Sequence, residues 1–332
     1  MYLFGLYLLI AALICPGPAY GSSLPVSARI LSGDELLRIG EIHDVQDHFP
    51  EALTYYEQAL DSFRAHKQIK GEAIALTKIA SIYERQGRRQ EAAVKVRHAL
   101  TLFSKVSSSS VHADALFLSG RLALWLGNRE EAAALFEQAQ KRYRRSKNVQ
   151  ALESVTLQAG LLKITDGLPD EGLREIQQVL DDARARRDHE QTVAALVALG
   201  DANWILDRIE RAVTHYEQSI GLLEQRPQPG IEARLRIRLA ALSAAMGREE
   251  QGIESAKRAV TLSQSLRNVS GEAAAWTLLG SLHEAIGHGP EAEDASRRAL
   301  GIYRQQVVIV HAVRPSSPPA TSPKGSRSPA LP

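Results

Sequence analysis

Small residues return every 40 positions along this chain. One series runs Gly40, Ala80, Gly120, Gly160, Gly200, Ala240, Gly280; a second runs Ala52, Ala92, Ala132, Gly172, Ala212, Gly252, Ala292; a third runs Ala59, Ala99, Ala139, Val179, Ser219, Ala259, Ala299. A fourth, Asp47, Gly87, Gly127, Gly167, Asp207, Gly247, Gly287, holds residues suited to a turn. A period of this size marks a supersecondary unit stacked on copies of itself. Each unit then buries its apolar face only against its neighbours, so the chain is an array and not a single layered core.

The spacing of larger apolar residues around these positions is helical. Leu36, Leu76, Leu116, Leu196 and Trp276 recur in one register, and Ile39, Ile79, Leu199, Leu239 and Leu279 in another three residues on. Small residues belong where two helices cross, because a bulkier side chain there pushes the axes apart. The Gly or Asp of the turn series ends the first helix of each pair, where a left-handed backbone is wanted. Pro50, Pro169 and Pro290 open the second helix, where a missing N–H costs little. The expected fold is all-α, a right-handed α-solenoid of seven helix-turn-helix repeats over residues 33–306.

The pattern L-x-x-[IL]-G-x-x-[YH] … [EQ]-A-x-x-x-[YF]-x-x-A, seen in LTKIASIYERQGRRQEAAVKVRHA and LVALGDANWILDRIERAVTHYEQS, resembles the tetratricopeptide repeat. The common repeat has about 34 residues. Spacing inside each hairpin is kept here, which places the additional residues between the second helix and the next repeat. Such longer repeats are similar to those of kinesin light chain, of bacterial regulators with a helical sensor domain, and of exported bacterial arrays that precede a caspase-like peptidase domain. The resemblance implies binding of another protein or peptide. Repeat four, residues 153–186, is the least regular, with Thr156, Lys163, Gly172 and Val179 at positions where the other repeats prefer Leu, Tyr, Ala and Ala. Drift and a local change of superhelical twist both account for it.

The ends have a different character. An apolar run of 14 residues after Met1 is halted by Pro16-Gly17-Pro18 and followed by Ala19-Tyr20-Gly21-Ser22. It reads as a signal peptide, residues 1–21, cleaved after Gly21, with 22–32 as a linker. The run is shorter than the ~20 residues that span a bilayer. The expected location is therefore periplasmic or secreted. Absence of Lys or Arg before the apolar run leaves an uncleaved N-terminal membrane anchor as the alternative, and only then is membrane contact expected. Cys15 is the single cysteine, and Ile14 before it is too large for a lipoprotein signal. Residues 307–314 form a candidate capping strip for the last hairpin. The Pro/Ser-rich segment 315–332 lacks the apolar content to fold and reads as a disordered tail.

Little in the chain assembles chemistry. His283 and His288 are five apart, whereas a helical zinc pair needs a spacing of four. His43 and His283 share a register with Tyr83, a packing position. No Gly-x-Ser-x-Gly elbow and no phosphate-cradling loop occurs, so no catalytic residue, metal or cofactor is expected and the chain does not read as an enzyme. The formal charge of +2 gives no drive toward nucleic acid. The basic run Lys141–Lys147 lies at a helix C-terminus, where cations recur in other repeats and the helix dipole favours them.

The resemblance implies that the first helix of each pair lines a concave face, at positions two, five, nine and twelve of the repeat. Those positions and their neighbours supply Phe117, Arg121, Leu124 and Trp125 from repeat three; Leu157, Leu161 and Ile164 from repeat four; Val197, Asp201, Trp204 and Ile205 from repeat five; and Arg234 and Arg238 from repeat six. Two outcomes stand open for the apolar members: an exposed groove, or packing between hairpins. The last pair also matches part of a carboxylate clamp known in the family, but Ala198 and Asp201 stand where it requires asparagine. The expected function is an exported scaffold that holds a peptide or helix of a partner protein in this groove. The alternative is a regulatory array serving a separate or missing caspase-like peptidase domain.

Overall fold

The computed structural model describes residues 31–46, 48–106, 110–266 and 268–312. The expected signal peptide, most of the expected linker and the expected tail lie outside the described residues, as do the side chains from 305 onward. Among the described residues there are fourteen helices: α1 Gly33–Val45, α2 Phe49–Ala65, α3 Ile69–Arg85, α4 Arg89–Phe103, α5 Ser110–Trp125, α6 Arg129–Ser146, α7 Val149–Thr165, α8 Pro169–Ala185, α9 His189–Ile205, α10 Ile209–Gln225, α11 Pro229–Ala245, α12 Glu249–Ser265, α13 Val269–Ala285 and α14 Gly289–Ala312. They pack as seven antiparallel hairpins in chain order. Residues 307–312 of the candidate capping strip do not form a separate element: α14 runs on through them as far as Ala312.

Most helices have 17 residues, joined by turns of three. Relative to a repeat of about 34 residues, the extra length is taken up as longer helices, not as a linker between hairpins. Six positions of the turn series are described, and all six are left-handed: Gly87, Gly127, Gly167, Gly247 and Gly287, with Asp207 at φ 57°. Each makes the same closure. At the first, Arg88 N–H bonds the Tyr83 carbonyl at 2.8 Å and Gly87 N–H the Glu84 carbonyl at 3.0 Å, which satisfies carbonyls left open by the end of α3. Asp47 lies outside the described residues.

Turns between repeats use the same geometry with different residues. Lys67, Lys147 and Arg187 are left-handed with φ of 54–56°, and the following N–H again reaches back five residues, as Gln68 does to Phe63. At this register the fifth repeat has Pro227, whose ring forbids a positive φ. There the chain leaves α10 through Arg226 in an extended conformation, φ −137°, and Pro229 opens α11.

The crossing of the two helices in a hairpin is a size match. A Cβ on Gly40 would lie 2.5 Å from the Tyr56 ring, and one on Gly120 would lie 2.5 Å from Phe136; Gly200 meets Tyr216 in the same way. Where the first helix carries Ala80 or Ala240 instead, the facing residue shrinks to Val96 or Ala256. Tyr56, Phe136 and Tyr216 are fully buried, each contributing ~2–3 kcal/mol of burial. Buried clusters overlap from hairpin to hairpin, so the core is one strip running the length of the array.

First helices also pack on one another, α1 on α3, α3 on α5, α7 on α9 and α11 on α13, and so line one wall. The array curls enough to bring its ends together. A Cβ on Gly87, in the turn of repeat two, would stand 3.9 Å from Ser270 Oγ at the start of α13 in repeat seven.

Candidate partner-binding groove

The proposed groove residues divide by exposure. Trp125 is 43% exposed, Trp204 41% and Ile205 48%; Phe117, Leu124, Leu161 and Val197 are half-buried. Of the two outcomes left open by the sequence, exposure holds for both tryptophans. Leu157 and Ile164 are only 4% exposed and belong to the core instead of the groove. The cause lies in repeat four. Gly172 replaces the usual Ala, and Ile164 Cγ1 fills the space of the missing side chain, 2.6 Å from where its Cβ would stand. Leu157 is drawn into the cluster that α7 shares with α9.

Individual contacts refine the picture. The Phe117 ring meets Phe136 at 5.8 Å with planes at 59°, so part of it serves packing within the hairpin. The Trp125 face lies under the Arg89 guanidinium, 5.6 Å from its centroid, which sets it at the edge between repeats two and three. Trp204 makes neither kind of contact among the described residues and, with Ile205 beside it, leaves a large apolar surface open to solvent.

Charged residues of the groove form a ladder between successive repeats. Arg85 pairs with Asp44 at 2.5 Å, Lys78 with Glu41 at 2.8 Å, Arg121 with Glu84 and Arg238 with Asp201 at 3.0 Å. Lys78, Glu84 and Arg85 were not singled out from the sequence; the signal available was their sequence separation from Arg121, Glu41 and Asp44, one or three residues off a full period. Inside the ladder, Asp114 accepts a 2.6 Å hydrogen bond from the Tyr143 hydroxyl, and Asp201 accepts one of 2.6 Å from Tyr216. Burial pushes the carboxyls of Asp114 and Asp201 above the usual range; the tyrosine hydroxyls oppose this in both, and Arg238 opposes it most strongly at Asp201. Asp44, Lys78, Asp114, Phe117, Arg121 and Tyr143 line a cavity of about 210 Å³ in repeats one to three.

Arg234 stands apart. Its side chain is exposed to solvent and makes no hydrogen bond or ion pair among the described residues. Even so, burial lowers its pKa, helped by the charges of Arg238, Arg121 and Arg85 and opposed by Glu84.

Among the described residues no group of three or more His, Cys, Asp or Glu is arranged to hold a metal ion. The histidines serve packing: His283 is buried and stacks on His288 at 5.8 Å, and His43 stacks on Tyr55 at 5.4 Å.

Two family models, both described as tetratricopeptide repeat, match residues 37–107 and 114–146. No curated protein matches the sequence. Among solved structures, the Rap conjugation gene regulator of the plasmid pLS20, in complex with the Phr* peptide, is similar with a TM-score of 0.63 at 16% identity, covering 90% of this chain and 83% of that one. A Rap protein complexed with Competence and Sporulation Factor gives 0.65 at 14% identity, covering 85% and 79%. A tetratricopeptide repeat protein from Parabacteroides merdae gives 0.50 at 17% identity, covering 85% and 97%. These likenesses are of fold. Residues 37–107 and 114–146 thus carry tetratricopeptide repeats, and the seven hairpins continue the same fold along the chain.

Proposed function

We propose that this protein is an exported scaffold that binds a peptide or helix of a partner protein in the concave groove of repeats three to five. The observation that carries the reading is Trp204, 41% exposed on a first helix, with half-buried Phe117, Leu124, Leu161 and Val197 on the same wall. Exposed large apolar surface of this kind is the ordinary mark of a binding site, and tryptophan is among the residues that dominate binding energy. Two neighbours of the same fold support a peptide-sized occupant, one solved with the Phr* peptide and the other with Competence and Sporulation Factor.

Export rests on the N-terminal apolar run and its small-residue cleavage site. N-terminal sequencing of the protein recovered from its native cells tests it: a chain beginning at Ser22 supports export, and retention of Met1 contradicts cleavage. Binding is tested by titrating peptides of defined composition against the full chain and the Trp204→Ala variant.

A further inference from the structure

The cavity in repeats one to three holds about 210 Å³, less than the ~300–1,000 Å³ of pockets that take a whole small molecule, and is sized for one side chain. Asp114, Phe117 and Arg121 reach it from one face of α5, at i, i+3 and i+7, so it is continuous with the groove wall that Phe117 and Arg121 also line. Its charges cancel in pairs with one exception. Lys78 is held by Glu41 at 2.8 Å and Arg121 by Glu84, while Asp44 holds Arg85 at 2.5 Å and accepts from the Tyr56 hydroxyl at 3.4 Å. Asp114 has no cation at ion-pair distance among the described residues. Its Oδ1 accepts from the Tyr143 hydroxyl at 2.6 Å, which fixes the carboxylate, and its Oδ2 has no donor among the described residues.

A half-buried carboxylate with one neutral partner has lost hydration without gaining a counter-charge. Burial accordingly holds its pKa above the usual range, despite the Tyr143 bond and the charge of Lys78. An incoming cation offsets that loss with a charge-assisted hydrogen bond. The remaining walls, Val111, Phe117 and Leu118, are apolar and suit an aliphatic stem, and long cationic side chains combine such a stem with a charged tip. We propose that this cavity receives a lysine or arginine side chain of the segment bound in the groove, its stem against Val111, Phe117 and Leu118 and its cationic head on Asp114 Oδ2. This deepens the groove reading and rests on it. The surface around Trp204 holds the apolar part of the segment, and Asp114 sets specificity by admitting a basic side chain and rejecting an acidic one.

Three capped, fluorescein-labelled decapeptides of alternating leucine and X, with X lysine, glutamine or glutamate, are titrated with the full chain at about 50 mM salt, where screening is weak. The lysine peptide should bind about tenfold or more tighter than the glutamine peptide, with the glutamate peptide weakest. Asp114→Asn keeps an acceptor for Tyr143 but removes the charge; it should abolish the preference for lysine over glutamine, leave the glutamine affinity unchanged and not lower Tm. Glu130→Gln removes the same charge from an exposed acid at the start of α6 and should leave the preference intact. Equal affinities for lysine and glutamine, a preference that survives Asp114→Asn, or one lost equally in Glu130→Gln would overturn the proposal. Trp204→Ala separates the two readings, since it should weaken the lysine and glutamine peptides alike. Dependence on Trp204 without a lysine preference keeps the groove and removes the Asp114 subsite; a lysine preference that needs Asp114 but not Trp204 does the reverse. No binding of any peptide contradicts both.

Discussion

The Tyr216 hydroxyl donates a 2.6 Å hydrogen bond to Asp201 Oδ1 and so bolts α10 to α9 from inside the groove. Tyr143 and Asp114 form the same bolt between α6 and α5, also at 2.6 Å, and Tyr56 and Asp44 form a longer one at 3.4 Å. The three sites differ in what remains when the tyrosine is removed. Asp201 keeps Arg238 at 3.0 Å, whereas Asp114 has no second hydrogen-bond partner among the described residues. Stranding a buried acceptor costs about 1–3 kcal/mol. Tyr143→Phe should therefore destabilise most, toward the upper end of that range, followed by Tyr216→Phe and then Tyr56→Phe. Urea unfolding checks the order, and a larger loss at Tyr216 than at Tyr143 would contradict it.

Burial raises the carboxyl pKa of both Asp114 and Asp201, and this fixes the sign of a pH effect. Each acid binds its proton more tightly in the folded chain than in the unfolded one, whose reference value is about 3.9. The stability each contributes is full below that value and lost as pH rises through the higher, folded pKa. Asn keeps an oxygen for the tyrosine hydroxyl but does not ionise. The double variant Asp114→Asn/Asp201→Asn should gain stability relative to the parent as pH rises from about 3.5 to about 6. Unfolding curves across that range measure it; a parent that gains on the variant would show the carboxylates to be net stabilised by their partners.

Gly172 offers a prediction that runs against the repeat pattern. Ala stands at the same register in five of the seven repeats, at 52, 92, 132, 212 and 292, so Gly172→Ala is the substitution that the pattern itself recommends. A Cβ at Gly172 would collide with the backbone carbonyl of Gly160 and with Ile164 Cγ1. Backbone cannot step aside as a side-chain end does, and overpacking of this kind costs about 1–3 kcal/mol. Gly172→Ala should lower Tm, whereas a gain in Tm would mean that α7 and α8 are not drawn together as described.

Much of this architecture was legible from residue size alone. Glycine opposite tyrosine and the left-handed residue after each first helix are local demands, and local demands leave local marks. The turns at Lys67, Lys147 and Arg187 left none, because a left-handed lysine or arginine carries no signature in its identity. Burial of Ile164 was hidden for a related reason: it follows from the absence of one methyl group at Gly172, not from anything about Ile164. The closure of Gly87 toward Ser270 depends on the twist accumulated over the intervening hairpins, which no single repeat records.

Trp204 tests the central claim most directly because its exposure separates binding from folding. Phe117 cannot do so, since its contact with Phe136 means that truncation would also loosen the hairpin. With a capped, fluorescein-labelled leucine-rich peptide that binds the parent chain as probe, Trp204→Ala should weaken binding by about 2 kcal/mol or more, as an aromatic hot spot does, while Tm stays close to that of the parent. Affinity unchanged in Trp204→Ala, or reduced only in step with a falling Tm, would contradict a binding groove in repeats three to five.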